Sequence, residues 1–204
     1  LKWFRDNFCE DYIRKAEEEG KDAYDYINED VAQTPLGCNK LLYLPYLMGE
    51  RTPHLDPDCR GVFFGLSAIH TRKDMLRAVM EGVSYSLKDC NDILKEMGIQ
   101  VEEMMACGGG GKSPIWRQML ADMYGCKVKT VTAKEGPALG VAILAGVGAG
   151  IYESVEAACD KVLRIDKECE PVGKNTETYE KYHKVFKNLY PSLKEQYKEL
   201  ATLS

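Results

Sequence analysis

The sequence predicts an α/β fold with at least one parallel pair of strands. In the second half of the chain, segments with strand and helix patterns alternate, over 101–107, 114–124, 127–132 and 137–149. A strand–helix–strand order with short connections is typical of parallel pairing. The 204 residues include 45% hydrophobic and 29% charged residues, which indicates a globular domain with a buried core rather than a disordered chain.

The charge balance argues against two classes of partner. Lysine and arginine number 27 and aspartate and glutamate 32, so the formal net charge is −5. A protein that coats nucleic acid or an anionic membrane would carry a basic excess. No apolar run reaches the length of a membrane span. We therefore expect no nucleic-acid and no membrane partner.

Eight cysteines are spread along the chain without a local pairing pattern. No Cys-x-x-Cys pair occurs and the histidines lie far apart, so no metal site is predicted. A disulfide framework is also disfavoured, because we expect no signal peptide and the chain is long enough to bury a core. The preferred interpretation is reduced thiols in a cytoplasmic protein.

The first half of the chain is predicted to begin with helix and to continue into two short strands. A polar pattern with one apolar side indicates helix over 1–29, and apolar runs indicate strands over 41–47 and 62–66. The loop between the strands crowds charged side chains together. An ion-pair network within the loop is preferred over direct contact with a substrate, and both remain open. The side chains are Arg51, His54, Asp56 and Arg60.

One long amphipathic helix is predicted between Thr71 and Gly98. Thr71 and Asp74 offer an imperfect capping box, and Gly98 suits the C-terminal end. An apolar stripe at steps of three and four predicts a face packed in the core. The stripe consists of Leu76, Val79, Val83, Leu87, Cys90, Leu94 and Met97.

Four consecutive glycines follow the third predicted strand and precede a helix that begins at Pro114. We expect a loop over 108–111, where bare backbone lets a ligand approach and free N–H groups face it. Ser113 suits the N-cap of the helix. The Walker A and dinucleotide-binding patterns both fail, at Ala106 and Ser113. By spacing alone, a nucleotide or phosphate site and a turn without a ligand are equally supported.

Small residues mark one face of the helix predicted over 137–149. They recur at steps of four, three and four, which predicts close packing against another helix or backbone. A hinge between two domains would need the same property. The residues are Ala138, Ala142, Ala145 and Ala149, and further helices are predicted over 155–163, 176–189 and 192–200.

Several segments along the sequence together point to one family. They are Trp3–Asp6, Tyr46–His54, Arg60–Leu66, His70–Arg72, Arg77–Val83, Gly108–Gly110 with Ser113, Trp116–Asp122 and Glu135–Gly140. With these segments the sequence resembles the FGGY family of carbohydrate kinases, and within it the closest resemblance is to xylulokinases. The resemblance extends from Trp3–Asp6 to the terminal helices and so covers nearly the whole chain.

The resemblance implies an ATP-dependent sugar kinase with a ribonuclease-H-like fold of the actin-like/hexokinase superfamily. Residues 1–204 would be most of its C-terminal, nucleotide-binding domain with extra helices, beginning within a helix at Leu1. The implied reaction uses ATP and Mg²⁺ and converts D-xylulose to D-xylulose 5-phosphate. The catalytic aspartate and the sugar-binding domain are implied to lie upstream, so the chain alone is expected to be inactive. A homodimer is left open.

The resemblance also assigns residues to a site. Gly108, Gly109, Gly110 and Ser113 fall where the family contacts the adenosine part of ATP, and Ser113 replaces an asparagine of glycerol kinases. Lys2 falls where related kinases carry a nucleotide-contacting glutamine. No catalytic or metal-ligating residue is assigned. The inter-domain hinge is implied at Glu135, Gly136, Pro137, Ala138 and Gly140.

Two alternatives remain open beside a xylulose-phosphorylating enzyme. One is another FGGY kinase that acts on ribulose, gluconate or glycerol. The other is a non-catalytic, actin-like nucleotide-binding module. The segments Glu50–Pro53 and Arg60–Leu66 favour a sugar kinase, because an actin or chaperone relative has no reason to contain them.

Overall fold

The computed structural model describes residues 1–132 and 136–203 and combines helices with two small sheets. The helices are α1 (Lys2–Phe8), α2 (Glu10–Glu19), α3 (Ala23–Gln33), α4 (Arg72–Glu96), α5 (Gly108–Lys112), α6 (Pro114–Tyr124), α7 (Gly136–Gly148), α8 (Val155–Val162) and α9 (Gly173–Ala201). The strands are β1 (Leu42–Leu44), β2 (Val62–Phe64), β3 (Glu103–Met105), β4 (Lys127–Val131) and β5 (Ile165–Cys169).

The strand pairing confirms the predicted parallel pair and adds a strand. β1 and β2 pair antiparallel, with Tyr43 opposite Phe63. In the second sheet the order is β3-β4-β5, and β3 runs parallel to β4 with Met104 opposite Val128. β5 pairs antiparallel to β4 and is absent from the sequence prediction. Its side chains are mostly exposed and charged, so it lacks the apolar pattern by which a strand is found.

Helix α4 lies at the centre of the core and packs against β1, α3 and α6. The predicted capping box at its start is confirmed, since Thr71 N and Oγ1 each donate to Asp74 at 2.8 Å. Gly82 brings the helix against β1 so closely that a Cβ atom there would collide with the carbonyl oxygen of Tyr43. The glycine therefore sets the separation of helix and strand.

The predicted core stripe on α4 is buried only in its N-terminal half. Leu76 and Val79 are buried, whereas Leu87 is 51% and Met97 is 70% exposed. The second half of the stripe lines an apolar groove of about 450 Å³ together with β3 and α6. The prediction of a packed face is wrong there, because β3 is an edge strand and the described sheet does not extend across this half of α4.

The glycine run forms a short helix, α5, where a loop is predicted. Gly108 enters it with a φ of 72°, a conformation that favours glycine. Gly111 lies against the strand end, where a Cβ atom would be 2.7 Å from the carbonyl oxygen of Ala106. The guanidinium of Arg117 donates to the last two carbonyls of α5, at 2.6 and 3.1 Å. These bonds satisfy acceptors that a helix end otherwise leaves open.

The terminal helical regions differ from prediction in number. The single region predicted over 1–29 contains α1, α2 and the start of α3, and Gly20 with a φ of 64° closes α2. The last two predicted helices are one helix, α9, with Pro191 inside it. Tyr190 and Tyr197, on either side of the proline, are both buried. The apolar face thus continues across Pro191, and tertiary packing outweighs the local preference for a break.

The predicted ion-pair network in the loop between β1 and β2 is wrong. All four of its residues lie in the described part of the chain, and none pairs with another. Arg60 instead donates to two carbonyls of the same loop, at 2.7 and 2.8 Å. Asp56 accepts from the hydroxyl of Tyr190 at 2.8 Å, and the His54 ring stacks on Tyr190 with centroids 3.7 Å apart. Burial lowers the pKa of His54. The loop is therefore held by α9.

None of the described helices is both long and apolar enough to cross a membrane. All eight cysteines carry free thiols.

Candidate functional site

A cavity of about 440 Å³ opens between α3, the glycine helix α5 and the start of α6. Its walls are formed by chain segments that are far apart in sequence. The residues that matter for its chemistry are Asp22, Asp25, Asn28, Gly109, Gly110 and Ser113. Because Gly109 and Gly110 have no side chains, their backbone forms a bare wall against which a flat ligand fits.

A half-buried aromatic ring supports this bare wall. Trp116 lies in the first turn of α6, and its Nε1 donates to Ser84 Oγ on α4 at 2.9 Å. A Cβ atom at Gly110 would lie 3.4 Å from the indole ring. The backbone of α5 therefore rests on a side chain whose orientation is set by the central helix.

Ser113 connects the two sides of the cavity. Its hydroxyl accepts from Trp116 N at 3.2 Å, which is the N-cap bond predicted for α6. The same hydroxyl donates to Asn28 Oδ1 on α3 at 2.7 Å. Ser113 is 8% exposed and Asn28 is half-buried, so this bond is partly buried at the wall of the cavity. The sequence contains no signal for Asn28, because it lies 85 residues from Ser113 and has no recognisable motif around it.

The charges around the cavity are mixed. Asp22 caps α3 by accepting from Tyr24 N at 3.0 Å, and Asp25 is an exposed carboxylate one turn further on. Lys112 lies on the opposite wall and is also exposed. The cavity thus offers hydrogen-bond acceptors and donors around an uncharged backbone surface. This combination suits a polar heterocycle better than a multiply charged group.

Three of the predicted nucleotide-binding residues lie together in this cavity: Gly109, Gly110 and Ser113. Gly108 instead lines a neighbouring cavity of about 400 Å³, which continues along the other side of α5 to Thr130. Lys2 is exposed and belongs to neither wall. The structure therefore groups two of the four glycines with Ser113 and leaves Gly108 and Lys2 apart.

The predicted hinge residues lie at the start of α7, except for Glu135, which lies outside the described residues. Gly136 lines the same cavity as Gly108, and Pro137, Ala138 and Gly140 follow it in the first turns of the helix. Helix α7 packs against α8, and its buried positions are Ile143 and Gly146.

The small-residue face of α7 does not pack against the described chain. All of its members are exposed, so the predicted packing within this chain is wrong. The buried positions of α7 lie on a different face of the helix, where Gly146 makes room for the Tyr152 ring. The exposed residues are Ala138, Ala142, Ala145 and Ala149.

A separate cluster in the described part of the chain contains groups that metal ions bind, namely Asp89, Asp92 and His183. His183 Nε2 lies 2.7 Å from an Asp89 oxygen, and Lys88 and Lys187 lie 3.6 and 3.4 Å from Asp92. The lysines supply the positive charge that a metal would bring. The cluster lines a different cavity, beside Pro53, so it ties α4 to α9 and adds nothing to the site.

Comparison with known proteins gives the chain a family. The C-terminal domain of the FGGY family of carbohydrate kinases matches residues 1–149. A xylulose kinase of Staphylococcus epidermidis is 35% identical over 204 residues, which cover 100% of this chain and 39% of that protein. A gluconokinase of Bacillus subtilis is 35% identical over 202 residues, covering 98% of this chain and 39% of the relative.

A solved structure shows the same fold. The ligand-bound xylulose kinase from Lactobacillus acidophilus matches with a TM-score of 0.84 and 26% identity, covering 98% of this chain and 38% of that one. The predicted ribonuclease-H-like fold of the actin-like/hexokinase superfamily is therefore confirmed. The chain spans less than half the length of these relatives. With a family match over most of its residues and relatives aligned along its whole length, the chain belongs to the FGGY family of carbohydrate kinases.

Proposed function

We propose that residues 1–204 form most of the C-terminal, nucleotide-binding domain of an ATP-dependent sugar kinase. One observation carries the proposal: in a chain of the FGGY family, Gly109, Gly110 and Ser113 line a single cavity of about 440 Å³. That volume lies in the usual range for small-molecule sites. The N-terminal sugar-binding domain would come from polypeptide outside this chain.

In this proposal the cavity holds the adenosine part of ATP. The bare backbone of Gly109 and Gly110 lies along the nucleoside, and Ser113 and Asn28 present polar atoms to it. Gly108 and Lys2 extend the proposed nucleotide-binding set beyond the cavity, towards the neighbouring cavity and α1. This chain thereby positions the donor, which is a large part of catalysis in phosphoryl transfer.

The acceptor side of the reaction is proposed to lie elsewhere. Mg²⁺ would neutralise charge on the phosphates of ATP when bound. Among the described residues, the one cluster of three metal-binding groups is Asp89, Asp92 and His183, and its carboxylates line a different cavity from the proposed nucleotide site. We therefore assign neither a magnesium ligand nor the catalytic base to this chain, and we expect the 204-residue chain alone to be inactive.

The exposed alanine face of α7 supports a role for this helix at the boundary between two domains. Small residues allow another backbone to approach closely, and within the described chain nothing packs on them. We propose that Glu135, Gly136, Pro137, Ala138 and Gly140 form the inter-domain hinge.

Free thiols at all eight cysteines suit a reducing compartment, so the proposal places the kinase in the cytoplasm.

The proposed substrate is D-xylulose, with D-xylulose 5-phosphate as the product. The similarity to a xylulose kinase along the entire chain supports it. Gluconate is the second candidate, because a gluconokinase is 35% identical over nearly the same residues. Residues 1–204 lie in the proposed nucleotide domain, which explains why both relatives are equally similar here.

A coupled kinase assay on the full-length protein that contains this chain tests the proposal. The panel is D-xylulose, D-ribulose, gluconate and glycerol, each with ATP and Mg²⁺, and we expect the highest kcat/KM with D-xylulose. Activity only on a compound other than D-xylulose would overturn the substrate assignment. Failure to transfer phosphate to any of the four compounds would overturn the assignment as a kinase. The 204-residue chain serves as the second sample. Xylulose phosphorylation by it would show that the catalytic base had been misplaced.

Calorimetric titration of the 204-residue chain with ATP and ADP tests whether the chain binds nucleotide at all. Binding that weakens in a Ser113→Ala variant supports the cavity as the nucleotide site. The matched control is Ser192→Ala, an exposed serine in α9. Equal binding by all three proteins would exclude Ser113 as a nucleotide contact.

A further inference from the structure

We infer that Asn28 recognises the nucleobase in the proposed nucleotide site and selects adenine over guanine. The inference rests on the proposed function, because it requires a purine nucleotide in the cavity. It adds a residue that the sequence motifs do not contain, on a helix that precedes the glycine run by some 75 residues.

The position of Asn28 is defined by its bond to Ser113. The side chain projects from the middle of α3 and lines the cavity together with Gly109 and Gly110. Its Oδ1 accepts the Ser113 hydroxyl at 2.7 Å. Because Ser113 Oγ already accepts from Trp116 N, its hydrogen is left to donate, and this network orients the amide oxygen towards Ser113. Among the described residues, no hydrogen bond uses the two Nδ2 hydrogens. The side chain is half-buried, so these donors remain accessible from the cavity.

An asparagine amide held in this way matches adenine. Its NH₂ group donates to a ring nitrogen of the base, and its oxygen accepts from the N6 amino group. The oxygen carries two lone pairs, so it accepts from Ser113 and from the base at the same time. Guanine presents its O6 oxygen where adenine has the N6 amino group. Two acceptors would then face each other, without a hydrogen bond between them.

The surroundings of Asn28 favour the same base. Asp25 is an exposed carboxylate on the same helix, and Asp22 lies one turn earlier, so the rim of this wall is rich in acceptors. An amino group is attracted to such a rim and a carbonyl oxygen is repelled. On the opposite wall no atom lies within 4 Å of a Cβ placed at Gly109, which leaves room for the plane of a purine.

The test compares ATP and GTP as phosphate donors for the full-length kinase, with the sugar at saturation. Asn28→Asp keeps an oxygen for Ser113 to donate to and replaces the NH₂ donor by a second acceptor. Asn28→Ala removes both the amide oxygen and the NH₂ donor. We expect each variant to raise the KM for ATP about tenfold or more, because a bidentate base contact is worth that much discrimination. We expect kcat at saturating ATP to stay within about twofold of the wild-type value. The preference for ATP over GTP should fall by about the same factor by which the KM for ATP rises.

A purely structural role for Asn28 predicts a different pattern. If the side chain only holds Ser113, Asn28→Asp retains the wild-type KM and base preference while Asn28→Ala loses affinity for both nucleotides equally. Either of those results overturns the inference. Glu29→Gln, an exposed neighbour outside the cavity, is the control and should match wild type. Wild-type protein that transfers phosphate from neither ATP nor GTP would overturn the proposed function instead, and circular dichroism reports whether each variant folds.

Discussion

Arg77 donates to the carboxylate of Glu81 at 2.7 Å inside the core, one turn apart on α4. The carboxylate also accepts from Gly37 N and from the hydroxyl of Tyr179, both at 3.2 Å. The guanidinium in turn donates to Thr34 O at 2.9 Å. Burial raises the pKa of Glu81, and the charge of Arg77 opposes that shift. This buried network therefore joins α3, α4 and α9 through one ion pair.

Replacing Glu81 by glutamine should lower the free energy of unfolding by about 3 kcal/mol or more, because Arg77 would be left buried without its counter-charge. Urea unfolding of the chain measures the change. Glu17→Gln, on an exposed face of α2, is the matched control and should change it by less than about 0.5 kcal/mol. Equal effects of the two substitutions would show that the buried pair contributes nothing.

The capping box predicts a dependence on pH. Burial alone would raise the pKa of Asp74, but hydrogen bonds from Thr71 and Asn39 outweigh burial and lower it. A carboxylate with a lowered folded pKa stabilises the protein fully above the ordinary value of about 3.9 and loses that effect as the pH falls through the folded pKa. Asp74→Asn should therefore cost about 1 kcal/mol at neutral pH.

Unfolding midpoints of wild type and Asp74→Asn, measured across the acidic range, test whether the stabilisation by Asp74 is lost as the pH falls. The difference between them should be constant from about pH 7 to pH 5 and should shrink below about pH 4. Asp160→Asn, an exposed helix position without such donors, should show no difference at any pH. A gap between wild type and Asp74→Asn that stays constant into strong acid would contradict the role of the charge.

The same substitution should have opposite effects at two glycines. Gly82→Ala places a Cβ atom into the carbonyl oxygen of Tyr43 and should destabilise the chain by about 2 kcal/mol, because β1 or α4 must move. Gly140→Ala meets no atom within 4 Å and should stabilise α7 by up to about 1 kcal/mol. Thermal unfolding of the two variants and of wild type measures both changes. A neutral Gly82→Ala would mean that α4 and β1 are not in tight contact.

The proposed hinge predicts an effect on activity without one on stability. Ala138 is exposed in this chain, so Ala138→Leu should change its free energy of unfolding by less than about 0.5 kcal/mol. In the full-length kinase the larger side chain should obstruct the approach of the other domain and lower kcat/KM severalfold. Ala201→Leu, an exposed alanine at the end of α9, is the matched control. Full activity of Ala138→Leu would remove this residue from the hinge.

Much of the fold was predictable because its signals are local. The capping box at Thr71, the N-cap at Ser113 and the parallel pair β3-β4 follow from short patterns of residue type. The errors share a cause as well. β5 has exposed, charged side chains, and the carbonyls that end the glycine helix are satisfied by Arg117, which lies in the next helix. Neither fact has a signature within its own segment.

By itself, the sequence determined the family, the order of most elements and the grouping of Gly109, Gly110 and Ser113, because motifs and periodicity reside in neighbouring residues. Only the tertiary structure decided that Asn28 bonds Ser113 across the cavity and that half of the α4 stripe lines a groove. It also decided that the alanine face of α7 is exposed. Each of these depends on contacts between segments distant in the chain, and burial and hydrogen bonding at such contacts are set by packing rather than by local sequence.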